Sequence, residues 1–274
     1  MVPVDAAVEV VRPDASASGA RVVLFDFDGT LSLFRSGWVD VMVPMMVEEL
    51  ASLETGESRE ELTALVRDFV DRLNGKQTIY QMIELARQIQ ERGGRAEDPL
   101  RYKHRYLRLL HARIEHRLEE VRTGQSAPEK YLVPGSIALL SDLRARGLRL
   151  YLASGTDQDY MRMEADLLGV TPYFDGGVFG ALDDYKTFSK RQLIGRILER
   201  SECQGPEILA FGDGYVEIQN VAEVGGFAVG VATDEPECLR VNQWKRERLI
   251  RAGAHCIAAN YLRLEELTGR LFGA

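Results

Sequence analysis

Beyond Pro134-Gly135, short apolar, β-branched runs alternate with segments whose apolar residues recur at helical spacing, and this alternation restricts the fold more than any other feature of the chain. It predicts a helix over residues 136–146 stopped by Gly147, a strand over 148–153, a helix over about 159–168 and a short strand near 177–179. A helix over 189–199, a strand over 208–211, a helix from about Glu217 and strands over 227–231 and 255–258 follow. An earlier run, residues 22–25, reads as one more buried strand. Strand and helix units of this length require a parallel sheet covered by helices on both faces, so the expected class is α/β with a Rossmann-like sheet. In such sheets, sites form outside the carboxyl ends of the strands.

Between that first strand and the later alternation the texture is helical, with breaks near 55–58, Asn74-Gly75 and 93–99. Ile79, Met82, Ile83, Ala86 and Ile89 share one helix face, and Tyr102, Tyr106, Leu109, Leu110 and Ile114 another. The expected organisation is a flexible tail over 1–19, an α/β core over 20–33 and 130–274, and an all-helical insertion over 34–129.

With 45% hydrophobic residues among 274, the chain can bury full cores and is not a disordered one. Lys and Arg number 34 against 42 Asp and Glu, and the formal net charge of −8 argues against nucleic acid or an anionic membrane as a partner. Three widely spaced cysteines, Cys203, Cys238 and Cys256, form neither a disulfide framework nor a zinc site. Acidic residues Asp5, Glu9 and Asp14 interrupt any signal-peptide core, and no apolar run reaches membrane-spanning length, so a soluble, cytoplasmic protein is expected. The basic residues crowded between Arg101 and Arg117 are interleaved with or adjacent to Glu115, Glu119 and Glu120 and read as a solvated face.

Reactive residues collect at the predicted strand ends: Asp26 and Asp28 after the first, Ser154-Gly155-Thr156 after the second, Gly212-Asp213-Gly214 with Glu217 after a later one, and Lys190 at a helix start. Two carboxylates at i and i+2 on extended chain point the same way, and the glycine after them permits a sharp turn. Such a pair suits either metal binding or nucleophile-plus-acid chemistry. A carboxylate approaching a phosphate meets a repulsion of about 4 kcal/mol for unit charges 4 Å apart at an effective dielectric of 20. Something positive must offset it. Mg²⁺ takes hard oxygen ligands, Asp213 supplies a further one, and Lys190 is a cation able to neutralise transferring oxygens. Lys186 is the rival to Lys190, which is preferred because it opens the helix carrying Leu193, Ile194 and Ile197. Ser154 also suits a helix N-cap, and Glu217 an ordinary first-turn acid.

Taken in order, FDFDGT, LASGT, the SK pair before an amphipathic helix, and FGDGYVE resemble the four motifs of the haloacid dehalogenase superfamily of aspartate-nucleophile phosphotransferases. The resemblance implies that Asp26 is the nucleophile and Asp28 the general acid and base. Ser154 and the Gly155 N–H would hold the phosphoryl group, and Lys190 both phosphate and nucleophile. It further implies a Mg²⁺ site from Asp26, Asp28 (through its backbone carbonyl), Asp213 and Glu217, with Glu217 orienting a metal-bound water or Lys190. Members often carry Asp at the last position, and the longer Glu217 departs from that pattern. A helical insertion after the first motif is a mobile cap in this family, which makes Arg35 and Trp38, and Lys76, Gln77 and Tyr80 at a loop-to-helix junction, candidates for substrate contact; a plain solvated helix start is the alternative at the junction. The implied activity is a Mg²⁺-dependent phosphatase acting on a small phosphorylated metabolite, a sugar or cyclitol phosphate being favoured. A phosphomutase resembling β-phosphoglucomutase is the alternative, and a non-catalytic phospholigand-binding protein a further one. Phosphonate hydrolysis is disfavoured, because such members lack an acid at the position of Asp28.

Overall fold

The computed structural model describes residues 8–183 and 189–273. In chain order the elements are β1 (Glu9–Val10), β2 (Val22–Phe25), α1 (Val39–Ala51), α2 (Arg59–Leu73), α3 (Thr78–Glu91), α4 (Pro99–Arg122), α5 (Ser136–Ala145), β3 (Arg149–Asp157), α6 (Gln158–Leu167), β4 (Gly177–Ala181), α7 (Lys190–Arg200), β5 (Ile208–Gly212), α8 (Tyr215–Glu223), β6 (Phe227–Val231), α9 (Gln243–Ala252), β7 (Cys256–Ala258) and α10 (Leu264–Phe272). The chain divides into two compact units, an α/β unit up to Ser36 and from Arg117 onward, and a helical unit, Gly37–His116. The helical unit is therefore shorter at both ends than residues 34–129. Phe34 to Ser36 stay with the α/β unit because the Arg117 guanidinium donates to the carbonyls of Phe34 (2.8 Å) and Ser36 (2.9 Å). This contact ties together the two points where the chain leaves and re-enters that unit.

The sheet runs β1-β7-β6-β5-β2-β3-β4 among the described residues, parallel throughout except that β1 pairs antiparallel with β7. Val22–Phe25 is buried along its whole length, which is why its four residues read as an apolar run without alternation. Val22, Leu24, Tyr151, Ala153, Ile208 and Ala210 form one face, packed with Leu193, Ile194 and Ile197 of α7, Ile218 and Val221 of α8 and Leu249 of α9. Residues of the other parity face the opposite side: Phe25 stacks on Phe211 with ring centroids 4.7 Å apart, Phe174 meets Phe25 edge-on and Tyr261 meets Phe211. From β2 the chain proceeds outward to β3 and β4, then returns to the other side of β2 for β5, β6 and β7. The switch point is thus between β2 and β5, where a crevice opens beyond the strand ends.

Two expectations require correction. Residues 8–19 are not a free tail: Val11 and Arg12 donate to the His255 carbonyl, Ala17 to that of Leu271, and Glu9 pairs with Arg246. This segment covers the β7 edge, which would otherwise leave backbone groups unpaired. On α4, Leu109 is exposed, while Tyr102, Tyr106, Leu110 and Ile114 are buried, so the apolar stripe passes beside it. In the helical unit, α2 begins with a reciprocal capping box between Ser58 and Glu61. Among the described residues no helix is long and apolar enough to cross a membrane.

Candidate active site

Register alone assembles the centre of the site. Phe25 lies opposite both Leu152 and Phe211, and the Asp26 N–H donates to the Phe211 carbonyl at 2.9 Å, so Asp26 leaves β2 level with Gly212-Asp213 on one side and Ala153-Ser154 on the other. The chain then closes a tight turn in which the N–H groups of Leu31 and Ser32 both donate to the Phe27 carbonyl (2.8 and 2.9 Å). Gly29 is required here for two reasons. Its φ of +71° is the left-handed region, and a Cβ would stand 2.4 Å from Asp213 Oδ2. Thr30 locks the turn to the neighbouring strand end: its hydroxyl accepts from the Asp213 N–H at 3.0 Å and its carbonyl from the buried Tyr261 hydroxyl at 2.8 Å.

Lys190 is the first residue of α7, whose N-cap Ser189 accepts from the Gln192 N–H. Its buried ammonium lies 2.8 Å from Asp26 Oδ1 and 2.9 Å from Glu217 Oε2. The rival Lys186 lies outside the described residues. Glu217 sits in the first turn of α8, where its other oxygen accepts from the Gly214 N–H at 2.7 Å. Both Glu217 oxygens are thus engaged, one in capping α8 and one in holding Lys190. Gly212 admits this arrangement, since a Cβ there would lie 2.3 Å from Glu217 Cγ. Burial pushes the Asp26 carboxyl up to about 7 against the pull of Lys190, with Glu217 and Asp28 adding to the rise. Burial likewise raises Asp213 to about 6 despite Lys245 beside it, with Asp26 and Glu235 contributing. For Lys190, burial acts to lower the value, but the Asp26 and Glu217 carboxylates prevail and hold it above the ordinary lysine range.

Asp28 faces β3 instead of the acidic cluster. Its Oδ2 accepts from the Thr156 hydroxyl at 2.8 Å and the Ser154 hydroxyl at 3.2 Å, while Oδ1 has no hydrogen-bond partner among the described residues and lies 3.6 Å from Arg35 Nε. Ser154 is buried and accepts from the Thr156 N–H at 2.9 Å, so its hydroxyl is oriented by the backbone toward Asp28. Gly155 lies between them within β3, which extends to Asp157 and past the expected end at 153. Arg35 is fixed from behind by Glu164: Nη2 lies 2.7 Å from Oε1 and Nε 3.1 Å from both carboxylate oxygens. Glu164 is fully buried, and burial raises its carboxyl above the ordinary value against the pull of Arg35. Lys76 and Gln77 belong to the helical unit, where Gln77 is the buried N-cap residue of α3 and the Lys76 ammonium lies 5.8 Å from the Tyr80 ring centroid.

Carboxylate oxygens of Asp26, Asp213 and Glu217 lie within 4.8 Å of one another, and this all-oxygen set suits a hard dication such as Mg²⁺. The α/β unit thus brings Asp26, Asp28, Arg35, Ser154, Gly155, Lys190, Asp213 and Glu217 to one end of the sheet. Sequence reasoning places Thr156 at this strand end without giving it a role, and it omits Glu164, Glu235 and Lys245. Glu164 was detectable as an acid on the apolar face of α6, in step with the buried Met161 and Leu168. Lys245, whose ammonium lies 2.9 Å from Asp213 Oδ2 and 2.8 Å from Glu235 Oε1, carried no local signal.

A family model described as haloacid dehalogenase-like hydrolase matches residues 20–225. No match is found among curated proteins. Solved structures similar to the chain include a phosphonoacetaldehyde hydrolase-like protein from Oleispira antarctica, at 15% identity over 95% of this chain and 97% of that one, with a TM-score of 0.61. A predicted phosphoglycolate phosphatase from Haemophilus somnus 129pt is 13% identical over 91% of this chain and 98% of its own, with a TM-score of 0.59. A β-phosphoglucomutase from Clostridium difficile is 16% identical over 92% and 96%, with a TM-score of 0.55. At these identities the likeness is one of fold.

Proposed function

The chain belongs to the haloacid dehalogenase-like hydrolases, and from that premise we propose that it is a Mg²⁺-dependent phosphatase of small phosphate monoesters, sugar or cyclitol phosphates being favoured. The observation that carries this reading is the setting of Asp26. It is a buried carboxylate at a strand end with one oxygen on an ammonium, an acidic partner on the next strand and a second acid two residues away. With Oδ1 held by Lys190, Asp26 is oriented to attack phosphorus through Oδ2, forming an aspartyl phosphate as the bond to the ester oxygen breaks. Asp28, held by two hydroxyls of β3, gives its proton to the departing oxygen. It then takes one from the water that attacks the phosphoryl group, so Asp26 is regenerated and orthophosphate leaves.

Asp26 and Asp213 would hold the cation with the Asp28 carbonyl, and Glu217 would act through Lys190, since both its oxygens are engaged. When bound, Mg²⁺ supplies the positive charge that offsets repulsion between Asp26 and the phosphate dianion. The Lys190 ammonium adds to that effect, and the Gly155 N–H is a donor for the phosphoryl oxygens, joined by the Ser154 hydroxyl when it turns from its 3.2 Å contact with Asp28, which Thr156 keeps in place at 2.8 Å. By the family likeness, the helical unit is a cap, and Lys76 and Gln77 are its candidates for recognising the leaving group. The test is orthophosphate release from a panel of phosphorylated metabolites with Mg²⁺, run beside Asp26→Asn. Steady orthophosphate release that the substitution abolishes supports the reading. An isomeric sugar phosphate as product would identify a mutase, and retained activity in Asp26→Asn would refute the nucleophile.

A further inference from the structure

Lys245 stands at the cation side of the site without belonging to any of the four motifs. It is the third residue of α9, whose N-cap Asn242 accepts from the Lys245 N–H at 3.0 Å. Its side chain is 12% exposed, and its ammonium bridges Asp213 Oδ2 at 2.9 Å and Glu235 Oε1 at 2.8 Å. The second Glu235 oxygen accepts from the Ser36 hydroxyl at 2.7 Å. On the opposite side, the backbone of Gly29 approaches so closely that a Cβ would lie 2.4 Å from Asp213 Oδ2 and 3.0 Å from Glu235 Oε1. Asp213 Oδ2 is therefore held between an ammonium and the turn, and Oδ1 is the oxygen that Asp213 can offer to a cation. Glu235, close enough to share a lysine with Asp213, is kept out of the ligand set by that same lysine.

Resting on the reading that Asp26 and Asp213 hold a dication, we infer that Lys245 determines which dication the site accepts. Mg²⁺ requires near-octahedral geometry and binds through one or two carboxylates plus waters, whereas Ca²⁺ takes six to eight oxygens and commonly uses carboxylates bidentately. Occupying Asp213 Oδ2 enforces one-oxygen ligation, and engaging Glu235 withholds an additional carboxylate. Both features favour the smaller, six-coordinate ion. Lys245 is thus a positioning and selectivity residue that acts through Asp213.

Calorimetric titration of the full chain with Mg²⁺ and with Ca²⁺, substrate absent, tests the inference through the ratio of the two dissociation constants. Lys245→Met is expected to tighten Ca²⁺ relative to Mg²⁺ by roughly ten- to a hundredfold, the scale on which groups behind metal ligands act. Adding Glu235→Gln should remove most of that gain, because the extra carboxylate is gone. Lys245→Gln, which keeps a donor for Asp213 and so protects the fold, should move the ratio in the same direction by less. A purely structural role would weaken both ions together, and an unchanged ratio with Mg²⁺ binding intact would overturn the inference while leaving the cation site standing. Failure of the unsubstituted chain to bind Mg²⁺, with Asp213→Asn changing nothing, would instead refute the underlying cation site and the inference with it.

Discussion

The pair formed by Arg35 and Glu164 makes an asymmetric prediction. Both side chains are buried, at 8% and 0% exposure, so neither charge has water to fall back on. Glu164→Leu suits the apolar face of α6 in volume but takes away the nearest carboxylate of a guanidinium that cannot lose its proton, leaving Asp28 Oδ1 at the longer distance of 3.6 Å. Removing one partner of a buried pair costs about 3–5 kcal/mol, and that range applies here. Arg35→Met leaves a carboxylate that can take up a proton, so at or below about pH 4.5 its cost falls to about 1–3 kcal/mol, that of an unsatisfied buried polar group. Burial already raises the Glu164 carboxyl above 4.5 with Arg35 present, and without Arg35 it rises further. The folded Arg35→Met protein then holds a proton that the unfolded chain releases above about 4.5, so its stability falls as pH rises from there. The double variant, apolar on both sides, should lie within about 1 kcal/mol of the unsubstituted protein, giving a coupling of at least ~3 kcal/mol. Urea unfolding with native-state hydrogen exchange at the β2 and β3 amides reads these values for the α/β unit. Additive single and double effects, or equal losses for the two single variants near pH 4.5, where the unfolded chain still holds much of that proton, would refute this asymmetry.

Gly29→Ala should weaken Mg²⁺ binding and lower phosphatase kcat together, since the methyl meets Asp213 and the residue must keep a φ of +71°; unchanged titration curves would count against the role of that turn. In EDTA, stability should fall as pH rises from about 4 toward 7, because folded Asp26 and Asp213 keep protons (about 7 and about 6) that the unfolded chain, at the ordinary 3.8, has released. Saturating Mg²⁺ should flatten that slope by stabilising both ionised carboxylates, and a rising EDTA profile, measured as urea midpoints across this window, would be the contrary result. Thr156→Val should lower kcat with little change in KM, since it removes the shorter of two hydroxyl contacts to Asp28; a change in KM alone would place Thr156 at the substrate instead.

The sheet was legible because its strands are parallel and buried on both faces, so 22–25 and 227–231 appear in the sequence as unbroken apolar runs with the same bounds that the structure gives them. Asp26, Ser154 and Asp213 were legible because they stand just beyond such runs, and Lys190 because it opens a helix with periodic apolar positions. α9 was not, because half of its ten residues are charged and Leu249 is its one fully buried side chain among those described, leaving no periodicity to read. Lys245 and Glu235 were hidden for the same reason: their partner Asp213 is supplied by the adjacency of β5 and β6 and by an irregular return, not by spacing along the chain. β1, with two residues, is too short for a pattern and exists through its pairing with β7. Glu164 shows the opposite case, a buried acid that the sequence reading passed over although the helical pattern of α6 places it on the apolar face.

During turnover Asp26 is expected to carry the phosphoryl group. Rapid acid quenching of the protein with an aryl phosphate and Mg²⁺, followed by peptide mass spectrometry, tests it most directly. One added phosphoryl mass on the peptide containing Asp26, lost once the substrate is exhausted and absent from Asp26→Asn, is the predicted result. Burst-free turnover with no phosphoryl group on that peptide, or the modification at another residue, would contradict the account.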